Sequence, residues 1–99
     1  MKKTKAVPTT LIKSDRVEHG GFVYEYLLTA RESKRVASYR IPLYSITVTL
    51  TNAEGVSTSA TVTDGFSDIG KALVFYERAL EHLATPIDLP YIFEDEYCT

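Results

Sequence analysis

The chain has 99 residues, of which 44% are hydrophobic and 24% charged, with a net charge of −2. That is the size of one globular domain, spanning 1–99, able to close a core without metal or disulfide. The single cysteine, Cys98, excludes an internal disulfide, and no apolar run approaches the roughly 20 residues of a membrane span.

The charge is unevenly placed. Residues 1–50 hold nine Lys/Arg against four Asp/Glu, and residues 51–99 hold two against nine. Such a split either marks a basic surface for nucleic acid or lets the two halves neutralise each other, within one chain or across a dimer. The acidic balance of the whole favours neutralisation, because nucleic-acid-binding domains have a high pI.

Residues 1–8, MKKTKAVP, are polar and basic and are expected to fray. They have the charge of a secretion signal but no apolar stretch behind it, so a cytoplasmic protein is expected. TTLIKSDRVE (9–18) reads as a strand, and HGG (19–21) as a turn in which glycine supplies positive φ. In FVYEYLLTARE (22–32), Phe22, Tyr24, Tyr26, Leu28 and Ala30 share one face, the period-two aromatic pattern of a strand. These two strands form a predicted hairpin.

SKRVAS (33–38) is a polar, basic connection. YRIPLYSITVTLT (39–51) is a third strand, with Tyr44, Ile46, Val48 and Leu50 alternating against Ser45, Thr47, Thr49 and Thr51. Upstream the apolar phase reverses, which predicts a bulge between Leu43 and Tyr44. Pro42, with no N–H to donate, belongs in that bulge or at an edge. NAEG (52–55) is a loop, and VSTSATVTD (56–64) alternates as a fourth strand. One face of this second hairpin is almost all Ser and Thr, as a solvated sheet face would be.

DGF (64–66) turns the chain, and Ser67 is the predicted N-cap of a helix over 68–84, with Asp68 in its first turn. Ile69, Ala72, Leu73, Tyr76, Ala79, Leu80 and Leu83 make one apolar stripe, and Pro86 is expected to end the helix. Val74 and Phe75 fall off the stripe. The tail, ATPIDLPYIFEDEYCT, reads either as a strand or as a short helix capped by Asp88, with Pro90 tolerated in its first turn. The helix is favoured because Pro90 would remove a ladder bond from a strand.

The fold class is therefore α+β: a four-stranded antiparallel sheet of two sequential hairpins, one long helix packed on one face, and a short C-terminal helix or extended segment. The expected core comprises Phe22, Tyr24, Tyr26, Leu28, Ile46, Val48, Leu50, Ala60, Val62, Ile69, Leu73, Tyr76, Leu80 and Leu83. The tail is expected to close that core through Ile87, Leu89, Ile92 and Phe93. Its carboxylates Glu94, Asp95 and Glu96 would then lie near Arg31, Lys34, Arg35 or Arg40.

For chemistry the sequence offers little. His19 and His82 have no metal-spaced partner, Cys98 sits at a terminus, and DGFSD is explained by a turn and a helix cap without a cation. No catalytic, cofactor-binding or metal-binding set stands out. Arg31, Lys34, Arg35 and Arg40 beside Tyr39 are the best basic cluster. With the off-stripe Val74 and Phe75 they are the candidate contacts for a partner.

The helix and tail, ERALEHLATPIDLPYIFEDE, resemble a family of small uncharacterised proteins of clostridial-type Gram-positive bacteria. Pro86, Ile87, Asp88, Leu89, Ile92, Glu94 and Asp95 carry the resemblance, which covers about the last 35 residues. It implies no activity, cofactor or site residue. The expectation is a small cytoplasmic interaction or regulatory module, non-enzymatic, with an unknown protein partner. It is expected to form a homodimer, because a four-stranded sheet has two unpaired edges. The alternatives are a small enzyme or ligand-binding protein with a pocket invisible in sequence, or a nucleic-acid-binding module using 31–40.

Overall fold

The computed structural model describes residues 9–33 and 41–97. Four strands, β1 (Thr10–His19), β2 (Phe22–Ser33), β3 (Ile41–Thr51) and β4 (Ser57–Phe66), precede two helices, α1 (Ile69–Glu81) and α2 (Asp88–Tyr97). The sheet is an antiparallel meander in the order β1-β2-β3-β4, and both helices lie on one face, α1 over β2, β3 and β4 and α2 over β4. The α+β architecture read from the sequence is the one observed. Among the described residues no helix is long and apolar enough to cross a membrane.

The first hairpin closes through Gly20 and Gly21, at φ 61° and 82°. Positive φ at both central residues is the two-residue turn whose twist matches its strands. The second closes through Asn52, whose Oδ1 accepts from the backbone N–H of Glu54 (2.9 Å) and Val56 (3.0 Å). The face read as apolar is the covered one: Tyr26, Leu28, Tyr44, Ile46 and Val48 are buried.

The phase reversal near Pro42 has a different cause from the one expected. β3 pairs with β2 without interruption from Ile41 to Thr51, so β3 has no bulge there. The irregularity is on β4: Tyr44 pairs with Phe66 and Ile46 with Val62, so extra β4 residues face Ser45. Leu43 is simply an apolar residue on the face away from the helices. Pro42 pairs with Glu32 of β2 and lies beyond the end of β4, which makes its other side a local edge.

The β4 bulge also replaces the expected turn at 64–66. Asp64 takes φ 53°, a conformation that Asp tolerates better than most residues. Its N–H donates to Ser45 Oγ at 2.8 Å. Gly65 is required beside it: a Cβ there would overlap Val62 Cγ1 and lie 3.0 Å from Phe93 Cε1. The bulge carries Phe66 into the core, 5% exposed.

Helix α1 is capped by Asp68, not by Ser67, with Oδ1 accepting from Gly70 N–H at 2.9 Å. It ends at Glu81, a turn before Pro86. Leu83 adopts φ 52°, the Ala84 N–H reaches Ala79 C=O (2.9 Å) and the Leu83 N–H reaches Leu80 C=O (3.2 Å). This pair of bonds around a left-handed residue is a Schellman stop. Pro86 instead serves the next helix. The Asp88 N–H donates to Thr85 Oγ1 (3.2 Å) and the Thr85 N–H to Asp88 Oδ2 (3.4 Å), a reciprocal capping box with proline just inside it. The tail is thus helical, as favoured, but Thr85 is its cap and Asp88 the returning carboxylate.

The stripe of α1 is rotated from the expected one. Ala72, Phe75, Tyr76 and Ala79 are buried, whereas Ile69 is 42% exposed. Phe75 turns inward because α2 folds back beside it. Its ring lies 5.5 Å from that of Phe66 and 5.9 Å from that of Phe93, and Phe66 meets Phe93 edge-on at 5.4 Å. Leu89 is fully buried, and Ile92 and Phe93 pack on the core, whereas Ile87, expected to help, is 72% exposed. Phe22, also expected inside, is 40% exposed. A 13-residue helix spans about 20 Å and strands of this length about 35 Å, so the hairpin tips are left uncovered.

Gly65→Ala should lower stability by about 1–3 kcal/mol through overpacking. Gly70→Ala, whose new Cβ meets only Asp68 Oδ1 at 3.4 Å, should be neutral or stabilising by up to about 1 kcal/mol. Urea titrations of both variants measure the contrast. Phe93→Ala should cost about 2–4 kcal/mol, while Glu94→Gln, on an exposed residue, should stay within about 0.5 kcal/mol. Equal melting temperatures for those two would contradict the role given to the tail.

Candidate functional site

Of the residues singled out from the sequence, the described ones, Arg31, Val74 and Phe75, have separate roles. Arg31 is engaged: its Nε donates to Asp64 Oδ1 at 3.1 Å and its Nη2 to Asp64 Oδ2. This two-pronged pair fastens β2 to the bulge of β4, and the bond raises the Arg31 pKa further. Lys34, Arg35 and Arg40 lie outside the described residues, as do Cys98 and the expected fraying segment 1–8. Val74 is 54% exposed, as expected of a contact residue. Phe75 is fully buried and is corrected from a surface contact to the middle of the core. Glu94 is exposed, and the side chains of Asp95 and Glu96 lie outside the described residues. Both histidines are exposed. Asp68 is occupied in capping α1 and Asp64 by Arg31, so DGFSD is accounted for by structure.

The densest set of titratable groups lies where α1 crosses β1 and β2. The Tyr76 hydroxyl shares its proton between Asp15 Oδ2 (2.8 Å) and the Tyr26 carbonyl (3.0 Å), and the Tyr26 hydroxyl donates to Ala84 C=O (3.0 Å). Lys13 Nζ lies 3.3 Å from Glu77 and 5.9 Å from the Tyr76 ring centre. Burial pushes the Tyr26 hydroxyl up to about 12. Burial, then the bond to Asp15, pushes that of Tyr76 higher. Both hydroxyls are held neutral and spent on fixed partners, which makes them ties between layers. Among the described residues no group of three His, Cys, Asp or Glu could hold a metal ion.

On the uncovered face the Ser/Thr rows form a ladder. Hydroxyl pairs Thr47–Thr61, Thr49–Ser59 and Thr51–Ser57 lie 2.9, 3.0 and 2.7 Å apart. An open hollow of about 440 Å³ adjoins it, lined by Ser14, Asp15, Arg16, Glu25, Leu27 and Thr49.

The two edges of the sheet differ sharply. β1 carries Lys13, Asp15, Arg16 and Glu18, and its register breaks between Leu11 and Lys13. Charges and a bulge are the usual means of blunting an edge. β4 has neither over Ser57–Thr63: residues 55–63, GVSTSATVT, contain no charge and no proline, and the register to β3 is regular from Thr51–Ser57 to Ile46–Val62. The Asn52 N–H bond to Val56 C=O (3.0 Å) sets the alternation. It turns the backbone groups of Thr58, Ala60 and Val62 toward β3 and those of Ser57, Ser59 and Thr61 outward. Close hydroxyl pairs at 57, 59 and 61 agree, because side chains approach most closely at pairs that exchange no backbone bonds. Among the described residues no strand pairs with this outer side of β4.

No protein-family model, curated protein or solved structure matches the chain. The edge of β4 was legible only in part. The sequence marks the strand and predicts unpaired edges, and the uncharged run was there to be read in a chain otherwise 24% charged. That β4 rather than an inner strand lies outermost comes from the topology.

The tyrosine ties give a pH signature. A tyrosine exposed in the unfolded chain loses its proton near pH 10, whereas Tyr26 keeps its own to about pH 12. The stability this contributes is complete below pH 10 and drains away above it. The urea midpoint should therefore fall between pH 10 and 12, and Tyr26→Phe should flatten part of that fall. At pH 7 the same substitution should cost about 1–3 kcal/mol, by leaving the buried Ala84 carbonyl without its donor.

Proposed function

We propose that this protein is a non-enzymatic interaction module that binds another polypeptide by strand addition along the outer side of β4. The observation that carries this reading is the contrast between the edges: β1 is charged and bulged, whereas β4 is regular from Ser57 to Val62 and uncharged through Thr63. In strand addition the main chain supplies affinity through ladder bonds, and alternate side chains supply selectivity. The outward N–H and C=O groups of Ser57, Ser59 and Thr61 supply the ladder. The Arg31–Asp64 pair and the bulge mark where it stops.

The reading places the protein in the cytoplasm, where a lone cysteine is unremarkable. The resemblance of the helix and tail to the clostridial-type family brings no activity, so the proposal rests on the surface alone. The basic segment contributes less to it than the sequence suggested, because Arg31 is already committed to Asp64.

Ser59→Pro tests the reading. Proline lacks the outward N–H yet leaves the bonds from β4 to β3 in place, so the variant should fold. Tagged wild-type protein and the variant are used in parallel to capture partners from native lysate, with mass spectrometry as the readout. A partner held by the wild type should be lost with Ser59→Pro and retained with Arg16→Ala on the β1 edge. Retention by Ser59→Pro and loss with Arg16→Ala would place the interface elsewhere.

A further inference from the structure

The exposed edge has an internal symmetry that identifies what it fits. Around Ala60 the sequence reads Ser57-Thr58-Ser59-Ala60-Thr61-Val62-Thr63. Each position outward from Ala60 meets its chemical like: Ser59 with Thr61, both hydroxyl-bearing; Thr58 with Val62, which have the same shape; Ser57 with Thr63, again both hydroxyls. From this we infer that the partner is a second copy of this chain, with β4 antiparallel to β4 about a twofold axis at Ala60. This inference rests on the reading of β4 as a strand-adding edge.

The backbone requires such a register. Two antiparallel strands exchange bonds only if outward-facing residues lie opposite outward-facing residues. A twofold at Ala60 sets Ser59 against Thr61 on both sides of the axis, which satisfies this and forms up to about four inter-chain bonds, and it brings Ser57 to Thr63 where the bulge begins. It also keeps faces in phase, because partners differ by an even number of residues. The hydroxyl rows of the open face then run on into the second copy, and the helix-covered side continues through Thr58, Ala60 and Val62. The smallest side chain of the strand sits on the axis, the one place where a residue must meet itself. Within the ladder no like charges are brought together, because residues 55–63 carry none, and the neighbouring Asp64 is paired with Arg31.

The helices add area to what one ladder supplies. An axis perpendicular to the sheet leaves both sets of helices on one side. α2 lies over β4, and Ile87 just ahead of it and Tyr91 within it are 72% and 67% exposed. These residues are one helical turn apart, and the second copy brings its own α2 to the same side of the joint sheet. Stable dimers bury about 800 Å² per partner, more than a seven-residue edge provides alone. β1 offers no such match: a centre between Asp15 and Arg16 would pair Lys13 with Glu18 and Asp15 with Arg16, but those partners differ by an odd number of residues, which sets outward-facing residues against inward-facing ones.

The test uses the full chain with Cys98→Ser and single new cysteines. In the proposed register two copies of residue 60 face each other at a pair that exchanges no bonds, with Cα atoms about 4.5 Å apart, within disulfide range. Two copies of residue 58 are about 13 Å apart along the strands, out of range. Ala60→Cys should oxidise to a covalent dimer, and Thr58→Cys should not. Without new cysteines, sedimentation equilibrium should give twice the 11.1 kDa chain mass. Ser59→Pro should raise the dissociation constant by about 30-fold, the equivalent of about 1 kcal/mol for each of two lost donors.

A wild-type chain that stays at 11.1 kDa up to about 100 µM, an association free energy weaker than about −5.5 kcal/mol, overturns self-pairing. Cross-linking through Thr58→Cys in place of Ala60→Cys overturns the register. The edge reading fails separately, only if a partner captured by the wild type is equally captured by Ser59→Pro. Should Ser59→Pro not fold, as judged by circular dichroism, the pair of cysteine variants decides the question alone.

Discussion

Much of this molecule hangs on the hydroxyl of Tyr26. Its ring is fully buried at the centre of the sheet, and its O–H reaches Ala84 C=O, 58 residues along the chain. Ala84 is the residue at which α1 has stopped and α2 has not begun. A carbonyl there would be buried and unpaired without this donor, at a cost of about 1–3 kcal/mol. One bond thus fixes the corner, and the corner fixes where α2 lies. From that follow the burial of Leu89 and the meeting of Phe66, Phe75 and Phe93. Tyr76 anchors the other layer contact, packing edge-on against Tyr26 at 6.5 Å while its hydroxyl meets Asp15.

The sheet was readable because period-two patterning and turn residues agree at every step. Gly20-Gly21 and Asn52–Gly55 close hairpins, and Tyr26, Leu28, Ile46 and Val48 point to one side. What escaped the sequence was set by contacts between distant segments. Phe75 lies off the stripe with the most apolar residues, but Ala72, Phe75, Tyr76 and Ala79 are also spaced i, i+3, i+4, i+7, and this second stripe is the one buried, where Phe75 meets Phe93 of α2. Leu43 gave the impression of a slipped phase in β3, while the real bulge, at Asp64 and Gly65, looked like an ordinary turn. The helix boundaries shifted for a local reason. Both Ser67 and Asp68 can cap, both Thr85 and Asp88 can cap, and only the backbone path chooses between them.

The charge split of the chain takes a concrete form in the fold. Arg31 of the basic half meets Asp64 of the acidic half, and Lys13 meets Glu77. The second pair is exposed and worth little by itself. The first closes off the bulged end of β4, where the uncharged edge stops. Charge here marks the limits of a surface more than it forms one.

The meander order has a consequence for how the chain reaches its fold. Every strand pairs with its neighbour in sequence, so each hairpin closes a short loop and none has to wait for a distant partner. Chains dominated by such local closures fold faster than those with crossed topologies. α2 is the exception, since the corner at Ala84 that leads into it is bonded to the sheet through Tyr26, a contact that bridges more than half of the chain. Its reciprocal Thr85–Asp88 cap satisfies backbone groups of its first turn from within the segment itself, so docking has only its apolar face to cover. A nascent chain can therefore assemble its sheet progressively as it emerges, with α2 acting as a latch. Until that latch engages, Phe66 and Phe75 lack their third ring, and the partly folded chain shows an apolar notch that the finished protein does not have.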